Sequence, residues 1–192
     1  MRVLACDPGS QFGWATDATG KLEWGTEDFR IKGGESSGNR WRRFGEWLLD
    51  ATLRKNPARM VLGRDRTIEC DIVPKIDIIV YERSVFMPKG RAAAEIAAGF
   101  TTRLEEHCER HGIALQPVAV QTLKAFALPK VKRKKGDPRM DRSKEAMMGA
   151  ARLRLSSQSS PVALDQTKSL TEHEADALWI YWYCKEALCT KS

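Results

Sequence analysis

The first thirty residues alternate between short apolar runs and turn residues. Val3 to Cys6 is an apolar run that stops at Asp7-Pro8-Gly9, which predicts a buried strand ending in a turn. Gly13 to Thr16 and Leu22 to Phe29 predict two more strands, separated by the turn residues Asp17 to Gly20. The pattern therefore predicts an N-terminal antiparallel meander of three strands.

Helix and strand patterns alternate through the middle of the chain. Apolar side chains recur at three- and four-residue spacing over 39–55, which predicts a helix with one buried face. Ile76 to Tyr81 is β-branched and almost wholly apolar, as a central buried strand is. A long helix is predicted over 91–111, where Gly112 ends it, and a strand over 113–118 follows.

The remaining segments connect or follow these elements. Residues 56–75 show no clear period and are interpreted as an irregular insertion. A short helix starts near Gln121, and proline and glycine residues predict a basic loop over 129–142. Two further helices are predicted, over 142–155 and 170–187. The order of elements predicts a single α/β domain of 192 residues, with a mixed five-stranded sheet flanked by helices on both faces.

The positive charge of the chain is concentrated in one segment. The net charge is +7, yet Lys124 to Arg154 alone has eleven Lys and Arg residues against three acids. A localised basic segment on a nearly neutral body is typical of proteins that bind nucleic acid. The alternative, on charge alone, is a solvated loop without a partner.

Composition argues against several other classes of protein. Apolar residues make up 42% of the chain and charged residues 30%, which is enough apolar content for a folded core. No apolar run approaches the roughly 20 residues that span a bilayer, and the first residues do not resemble a signal peptide. The five cysteines include no C-x-x-C pair, which argues against disulfides or a zinc knuckle. We expect buried, reduced thiols, no membrane contact and a cytoplasmic location.

Three acids stand where predicted elements begin or end. Asp7 ends the first strand, Glu82 ends the central strand, and Asp176 lies in the first turns of the last helix. An acid at the end of a buried strand is costly unless it is paired or binds a metal. Three such acids together suit Mg²⁺ or Mn²⁺, and two such ions can hydrolyse a phosphodiester. Each acid alone also has a simpler interpretation, as a turn residue or an ion-pair partner.

Helical geometry separates the polar residues at the start of the last helix. His173 and Glu172 share a face with Asp176, three and four residues before it. Glu174 lies on the other side and forms the capping-box pattern T-x-x-E with Thr171. Glu172 fits a second such pattern two residues earlier, so His173 and Asp176 are the better pair of candidate ligands.

Three motifs, taken in order, resemble the RuvC-like Holliday junction resolvases, which have the RNase H-like (retroviral-integrase-like) fold. The motifs are Asp7-Pro8-Gly9-x-x-x-Gly13-x-Ala15, Glu82 after a hydrophobic strand and shortly before Phe86-Met87, and His173-x-x-Asp176-Ala177-Leu178. The resemblance covers nearly the whole chain. The long 56–75 segment and the expanded basic loop suit a phage or mobile-element version of that family.

The resemblance implies a metal-dependent endonuclease that cuts four-way DNA junctions in a symmetric pair of nicks and leaves 5′-phosphates. It implies that Asp7, Glu82, His173 and Asp176 are catalytic and bind two Mg²⁺ ions, for which Mn²⁺ substitutes. It also implies DNA contacts by Phe86, Gln121, Lys124 and Lys144. We expect flanking phosphates to be held by the basic loop, through Lys130, Lys132, Arg133, Lys134, Lys135 and Arg142.

The resemblance further implies a homodimer joined by the long middle helix. The small residues over 92–99 are compatible with close helix packing between copies, and ordinary packing on the sheet is the alternative. A less specific branched-DNA or RNA–DNA hybrid nuclease stays open, as does an inactive junction-binding module. Actin-like ATPases share the Asp-x-Gly opening, but this chain is too short for their second domain and has no later glycine-rich phosphate loop.

Overall fold

The computed structural model describes residues 1–62, 68–83, 90–128, 144–158 and 170–188. In chain order these form β1 (Val3–Asp7), β2 (Gln11–Thr16), β3 (Glu23–Asp28), α1 (Ser37–Thr52), β4 (Leu53–Leu62), β5 (Ile68–Pro74), β6 (Ile78–Arg83), α2 (Arg91–His111), β7 (Ala114–Ala119), α3 (Val120–Ala127), α4 (Lys144–Gln158) and α5 (Glu172–Tyr183), which continues as a π-helical turn over Cys184–Leu188. Among these helices, none has both the length and the apolar character that crossing a membrane requires.

A mixed five-stranded sheet lies at the centre, in the order β3-β2-β1-β6-β7. The first three strands form the predicted antiparallel meander, whereas β6 is parallel to both β1 and β7. The five-stranded sheet and the meander predicted from the sequence are therefore confirmed. Because β1 and β6 run parallel, their carboxyl ends meet at one edge of the sheet.

Alternation along the strands sends side chains into two separate cores. Val3, Ala5 and Val80 belong to the core under α3, α4 and α5, whereas Leu4 and Ile79 belong to the core under α1 and α2. Helices therefore cover both faces of the sheet, as predicted.

Helix α5 lies between the sheet and helices α3 and α4, and its middle is enclosed on all sides. Every residue from Leu178 to Trp182 is at most 8% exposed, and the helix packs on β1 and β2. The indole Nε1 of Trp179 donates a hydrogen bond to the carbonyl of Met147 on α4, at 3.1 Å. A helix enclosed this closely cannot shift without opening the core, so its first turn is held in place.

Arg154 attaches α4 to the same helix. Its guanidinium carbon lies 4.7 Å from the ring centroid of Trp182 and 5.7 Å from that of Trp179. It also forms an ion pair with Glu186 in the π-helical turn. These cation–π and ionic contacts fix α4, whose first residue is Lys144.

The opposite core is built from aromatic side chains. The rings of Phe12, Phe29, Phe44 and Phe100 lie 4.8 to 5.9 Å apart, in tilted or edge-on arrangements. They come from β2, the segment after β3, α1 and α2. Aromatic pairs of this geometry add to the stabilisation from burial, so the cluster holds both helices on the sheet.

Helix α2 carries a glycine where α1 presses against it. A Cβ atom on Gly99 would overlap the indole ring of Trp41. The same ring contacts Arg103, whose guanidinium carbon lies 4.3 Å from the ring centroid. The small-residue face of α2 thus has two parts. Gly99 packs within the chain, whereas Ala92 and Ala93 are exposed.

The interpretation of 56–75 as an irregular insertion is wrong. Strands β4 and β5 pair antiparallel as a separate two-stranded sheet, from Leu53 opposite Pro74 to Leu62 opposite Ile68. The sequence of β5 alternates apolar and charged residues, which is the period of a strand. Helix α1 consequently ends at Thr52 rather than at residue 55, because the next residue already has extended backbone angles.

Other local predictions agree with the structure. Helix α2 has the predicted bounds, and Gly112 ends it in the left-handed conformation, at φ 63°. Cys6, Cys108 and Cys184 are buried free thiols. The predicted start of α4 at 142 and the basic loop over 129–142 lie outside the described residues.

We expect Gly99→Ala to lower the free energy of unfolding by about 1–3 kcal/mol, because Trp41 must move off α2. Gly45→Ala is the matched control, since a Cβ atom there meets nothing within 4 Å. It lies inside α1 and should stabilise by about 0.5–1 kcal/mol. Urea denaturation of both variants checks the prediction, and equal effects of the same sign would contradict it.

Candidate active site

Asp7 and Glu82 meet at one edge of the sheet because their strands are parallel neighbours. Cys6 on β1 pairs with Tyr81 on β6, so the two acids are the next residues along each strand. Alternation places both side chains on the face that α5 covers. Two carboxylates from distant parts of the chain therefore lie on adjacent strands, beneath the same helix.

Helix α5 begins with the capping box that the sequence predicts. The Thr171 hydroxyl accepts a hydrogen bond from the Glu174 amide at 3.3 Å, and the Glu174 carboxylate accepts one from the Thr171 amide at 2.8 Å. The Thr171 hydroxyl also lies 3.1 Å from the hydroxyl of Thr26 on β3. These contacts fix the helix start, and with it the positions of His173 and Asp176.

Strand β2 has a glycine where the first turn of α5 crosses it. Gly13 pairs with Asp7 in the sheet, and a Cβ atom on it would overlap the backbone carbonyl of His173. Because Gly13 has no side chain, the helix comes close enough for His173 Nδ1 to lie 2.8 Å from Asp7 Oδ2. The glycine of the opening motif therefore has a packing role at this site.

These side chains line one cleft of about 260 Å³. Two lysines also line it, Lys124 on α3 and Lys144 at the start of α4. The full set is Asp7, Glu82, Val120, Leu123, Lys124, Lys144, Met147, Glu172, His173, Asp176 and Trp179. The structure brings together the four predicted catalytic residues and two of the predicted basic residues, whose roles stay predictions.

The cleft concentrates negative charge in a partly buried place. Burial, with the nearby charges of Asp7 and Asp176, raises the pKa of Glu82 to about 7. Burial and the charge of Asp7 raise the pKa of Asp176 to about 6. The hydrogen bond to Asp7 raises the pKa of His173. The carboxyls therefore hold protons more tightly than usual, and the imidazolium form of His173 is favoured.

An ion pair that sequence reasoning missed lies in the same cleft. Lys144 Nζ is 2.8 Å from Glu172 Oε1, and the same oxygen is 3.8 Å from His173 Nε2. This hydrogen bond lowers the pKa of Glu172 and raises that of Lys144. One sequence signal pointed to a place for Glu172 in the cleft, namely that it lies four residues before Asp176 on the same helix face. The capping-box pattern that it forms with Ser169 argued against this place.

The other predicted contact residues lie elsewhere. Gln121 is exposed on α3 and is not among the residues that line the cleft. The remaining predicted DNA contacts lie outside the described residues: Phe86, Lys130, Lys132, Arg133, Lys134, Lys135 and Arg142.

The donor chemistry of the cleft fits a hard divalent cation. Carboxylate oxygens are the ligands that Mg²⁺ and Mn²⁺ prefer, and the raised pKa values of Glu82 and Asp176 reflect negative charge that a cation would offset. Within the described ranges, no group of three or more acid, histidine or cysteine side chains is already arranged to hold a metal. Asp7 Oδ2 is hydrogen-bonded to His173 Nδ1. A carboxylate has a second oxygen that can bind an ion, so this contact is compatible with a metal at Asp7.

We expect Gly13→Ala to push the first turn of α5 away from β1 and break the contact between Asp7 and His173. The pKa of His173 should fall toward its ordinary value of about 6.5, as measured by NMR titration of the histidine ring. The free energy of unfolding should fall by about 1–3 kcal/mol. Gly149→Ala on α4, where a Cβ atom meets nothing within 4 Å, is the control. An unchanged His173 titration in Gly13→Ala would refute this role.

We expect Glu82→Gln to stabilise the protein in EDTA at pH 8. A carboxyl whose pKa is about 7 in the folded state and near 4.5 when unfolded costs stability as pH rises through that window. The gain should be about 1–3 kcal/mol at pH 8 and close to zero at pH 4. Chemical denaturation at both pH values measures it, with the exposed Glu109→Gln as control. A gain that does not depend on pH would contradict the charge argument.

The sequence matches no protein-family profile and no curated protein. Solved structures do match. RuvC from Thermus thermophilus in complex with a Holliday junction substrate matches with a TM-score of 0.62 and 16% identity, over 100% of this chain and 96% of that one. A second Thermus thermophilus RuvC structure matches with a TM-score of 0.57 and 17% identity, over 97% of each chain.

The yeast mitochondrial Holliday junction resolvase Ydc2 also matches, with a TM-score of 0.54 and 14% identity, over 93% of this chain and 75% of that one. At these identities the likeness is one of fold. It confirms the fold that the resemblance in the three sequence motifs predicts. The chain has the RNase H-like fold of RuvC.

Proposed function

We propose that this protein is a divalent-metal-dependent endonuclease that resolves four-way DNA junctions. The cleft carries the proposal: Asp7, Glu82, His173 and Asp176, from β1, β6 and α5, line it together with two lysines. That arrangement lies on the fold of RuvC, which has been solved with a Holliday junction substrate. Buried carboxylates with raised pKa values are typical of functional sites.

The residues that would hold the metal are Asp7, Glu82, His173 and Asp176. Two Mg²⁺ ions are the proposed occupants, and Mn²⁺ is the expected substitute. When bound, such ions activate water and stabilise the leaving 3′ oxygen of a phosphodiester, which leaves a 5′-phosphate.

The protein's own groups have three tasks in this reaction. Glu82 and Asp176 must lose their protons before they can act as ligands, which sets a lower pH limit on activity. His173 holds Asp7 in place through its Nδ1 contact and lines the cleft, where its ring would bind a metal or orient a water molecule. Lys124 and Lys144 lie where they can neutralise the additional negative charge of the transition state.

DNA binding outside the cleft is proposed for the basic loop and for Phe86. The loop's cations would hold flanking phosphates, which gives salt-sensitive affinity without sequence information. Phe86 would stack on unpaired bases at the junction centre, and Gln121 would contact the backbone from the exposed side of α3. The predicted cytoplasmic location, in a bacterial or phage-infected cell, goes with this role.

A homodimer would place two such clefts on the two strands that are cut symmetrically. The exposed alanines at 92 and 93, near the start of α2, support this helix as the contact between copies. Gly99 is not available for that contact, because it already packs against Trp41.

Cleavage assays on labelled DNA test the function directly. The purified protein is incubated with a four-way junction, a matched duplex, a flap and an RNA–DNA hybrid, each in Mg²⁺ and in EDTA. We expect paired symmetric nicks in the four-way junction in Mg²⁺ alone. Asp7→Asn should reduce the rate by about 10²-fold or more, whereas Glu109→Gln, an exposed acid on α2, should leave it unchanged.

The alternative functions give different outcomes in this assay. Equal cutting of every branched or hybrid substrate would keep the metal site and remove the junction specificity. Junction binding without cleavage in Mg²⁺ or Mn²⁺ would overturn the catalytic proposal in favour of a binding module.

A further inference from the structure

Glu172 and Lys144 form an ion pair at the mouth of the cleft. Their contact atoms are 2.8 Å apart, and the side chains are 39% and 72% exposed. They are the first residues of α5 and α4, so the pair joins two helix starts that are far apart in the sequence. Because both groups face solvent, the contact can break without unfolding either helix.

Glu172 has no part in the helix cap. Thr171 and Glu174 make both hydrogen bonds of the capping box, and they leave the carboxylate of Glu172 on another side of the helix. The Oε1 atom of Glu172 instead lies nearest to Lys144 and next nearest to His173 Nε2, at 3.8 Å. Its acidic side chain therefore faces the cleft and takes no part in the hydrogen bonds of the cap.

Lys144 is one of the two lysines that the cleft would offer to a scissile phosphate. Its positive charge opposes part of the rise in the pKa values of Glu82 and Asp176, so it acts on the acid cluster as well as on Glu172. A phosphate oxygen and the Glu172 carboxylate are both anionic acceptors for the same ammonium group. A carboxylate and a phosphate beside the same ammonium group repel each other, so we expect Lys144 to turn from Glu172 to the phosphate when DNA binds.

We propose that Glu172 is a positioning residue that holds Lys144 at the mouth of the cleft in DNA-free protein and releases it to the scissile phosphate when DNA binds. The inference rests on the proposed nuclease function. An exposed ion pair is weak, and this makes the exchange easy. The pair keeps a cation ready at the entrance, at a small cost in DNA affinity.

Junction binding in EDTA tests the exchange. We expect Glu172→Gln to tighten binding of a fluorescein-labelled four-way junction by about 2- to 5-fold, because Lys144 no longer has to leave a carboxylate. In a Lys144→Met background the same change should tighten binding no more than the Glu145→Gln control does. Glu145→Gln removes an exposed acid from the same turn as Lys144 and is the charge-matched control. We expect it to change junction affinity by the same small factor in the wild-type and Lys144→Met backgrounds.

Two results with these variants would overturn the proposal. If Glu172→Gln tightens binding equally in the Lys144→Met background, Glu172 only repels DNA by its charge. If, in a cleavage assay, Glu172→Gln raises the Mg²⁺ concentration for half-maximal cleavage by more than about tenfold, Glu172 is a metal ligand. For a positioning residue we expect a lower KM, an unchanged kcat and an unchanged Mg²⁺ requirement.

A measurement without DNA separates this proposal from the nuclease function. In ¹⁵N-labelled free protein, Glu172→Gln should shift the ammonium resonance of Lys144 and make its side chain more mobile. Adding junction DNA to the wild-type protein should also shift this resonance. No change in the free Glu172→Gln protein would refute the ion pair itself. If the wild-type protein binds no DNA, both the nuclease function and the transfer of Lys144 to a phosphate are refuted. The spectra of the free protein would still test the ion pair between Glu172 and Lys144.

Discussion

The concentration of negative charge under helix α5 is the constraint on which the site depends. Parallel β1 and β6 place Asp7 and Glu82 side by side, and α5 adds Asp176 above them. Burial raises the pKa values of Glu82 and Asp176, and repulsion between the neighbouring carboxylates raises them further. The protein offsets part of this charge with His173 and Lys144. Divalent cations would offset the rest, so the repulsion that destabilises the empty cleft would favour metal binding.

The fold holds this charge together through the burial of α5. The helix is enclosed by the sheet and by α3 and α4, and Gly13 lets its first turn approach β1 closely. Arg154 fixes α4 against the aromatic rings of α5, so Lys144 is attached to the same rigid unit. The elements that carry the acids, the histidine and the lysine are therefore fixed by packing, which gives a preorganised site rather than one on loose loops.

Local signals in the sequence predicted much of this structure. Strand period, turn residues and the capping pattern at Thr171 depend on neighbours in the chain, and the meander, the bounds of α2 and the cap were confirmed. The positions of Asp7 and Glu82 at strand ends also followed from local pattern. Contacts across the fold did not. The overlap at Gly13 and the pair between Glu172 and Lys144 depend on distances that no local period encodes. The pairing of β4 with β5 was missed because β4, which contains Pro57, lacks the alternation that β5 has.

The central claim is that this acid cluster is a metal site. Crystals grown with Mn²⁺, with diffraction data collected at the manganese absorption edge, locate bound ions by anomalous scattering. The account predicts two peaks in the cleft, with Asp7, Glu82, His173 and Asp176 as protein ligands. A cleft without an anomalous peak at saturating Mn²⁺, in a folded and DNA-binding protein, would contradict it.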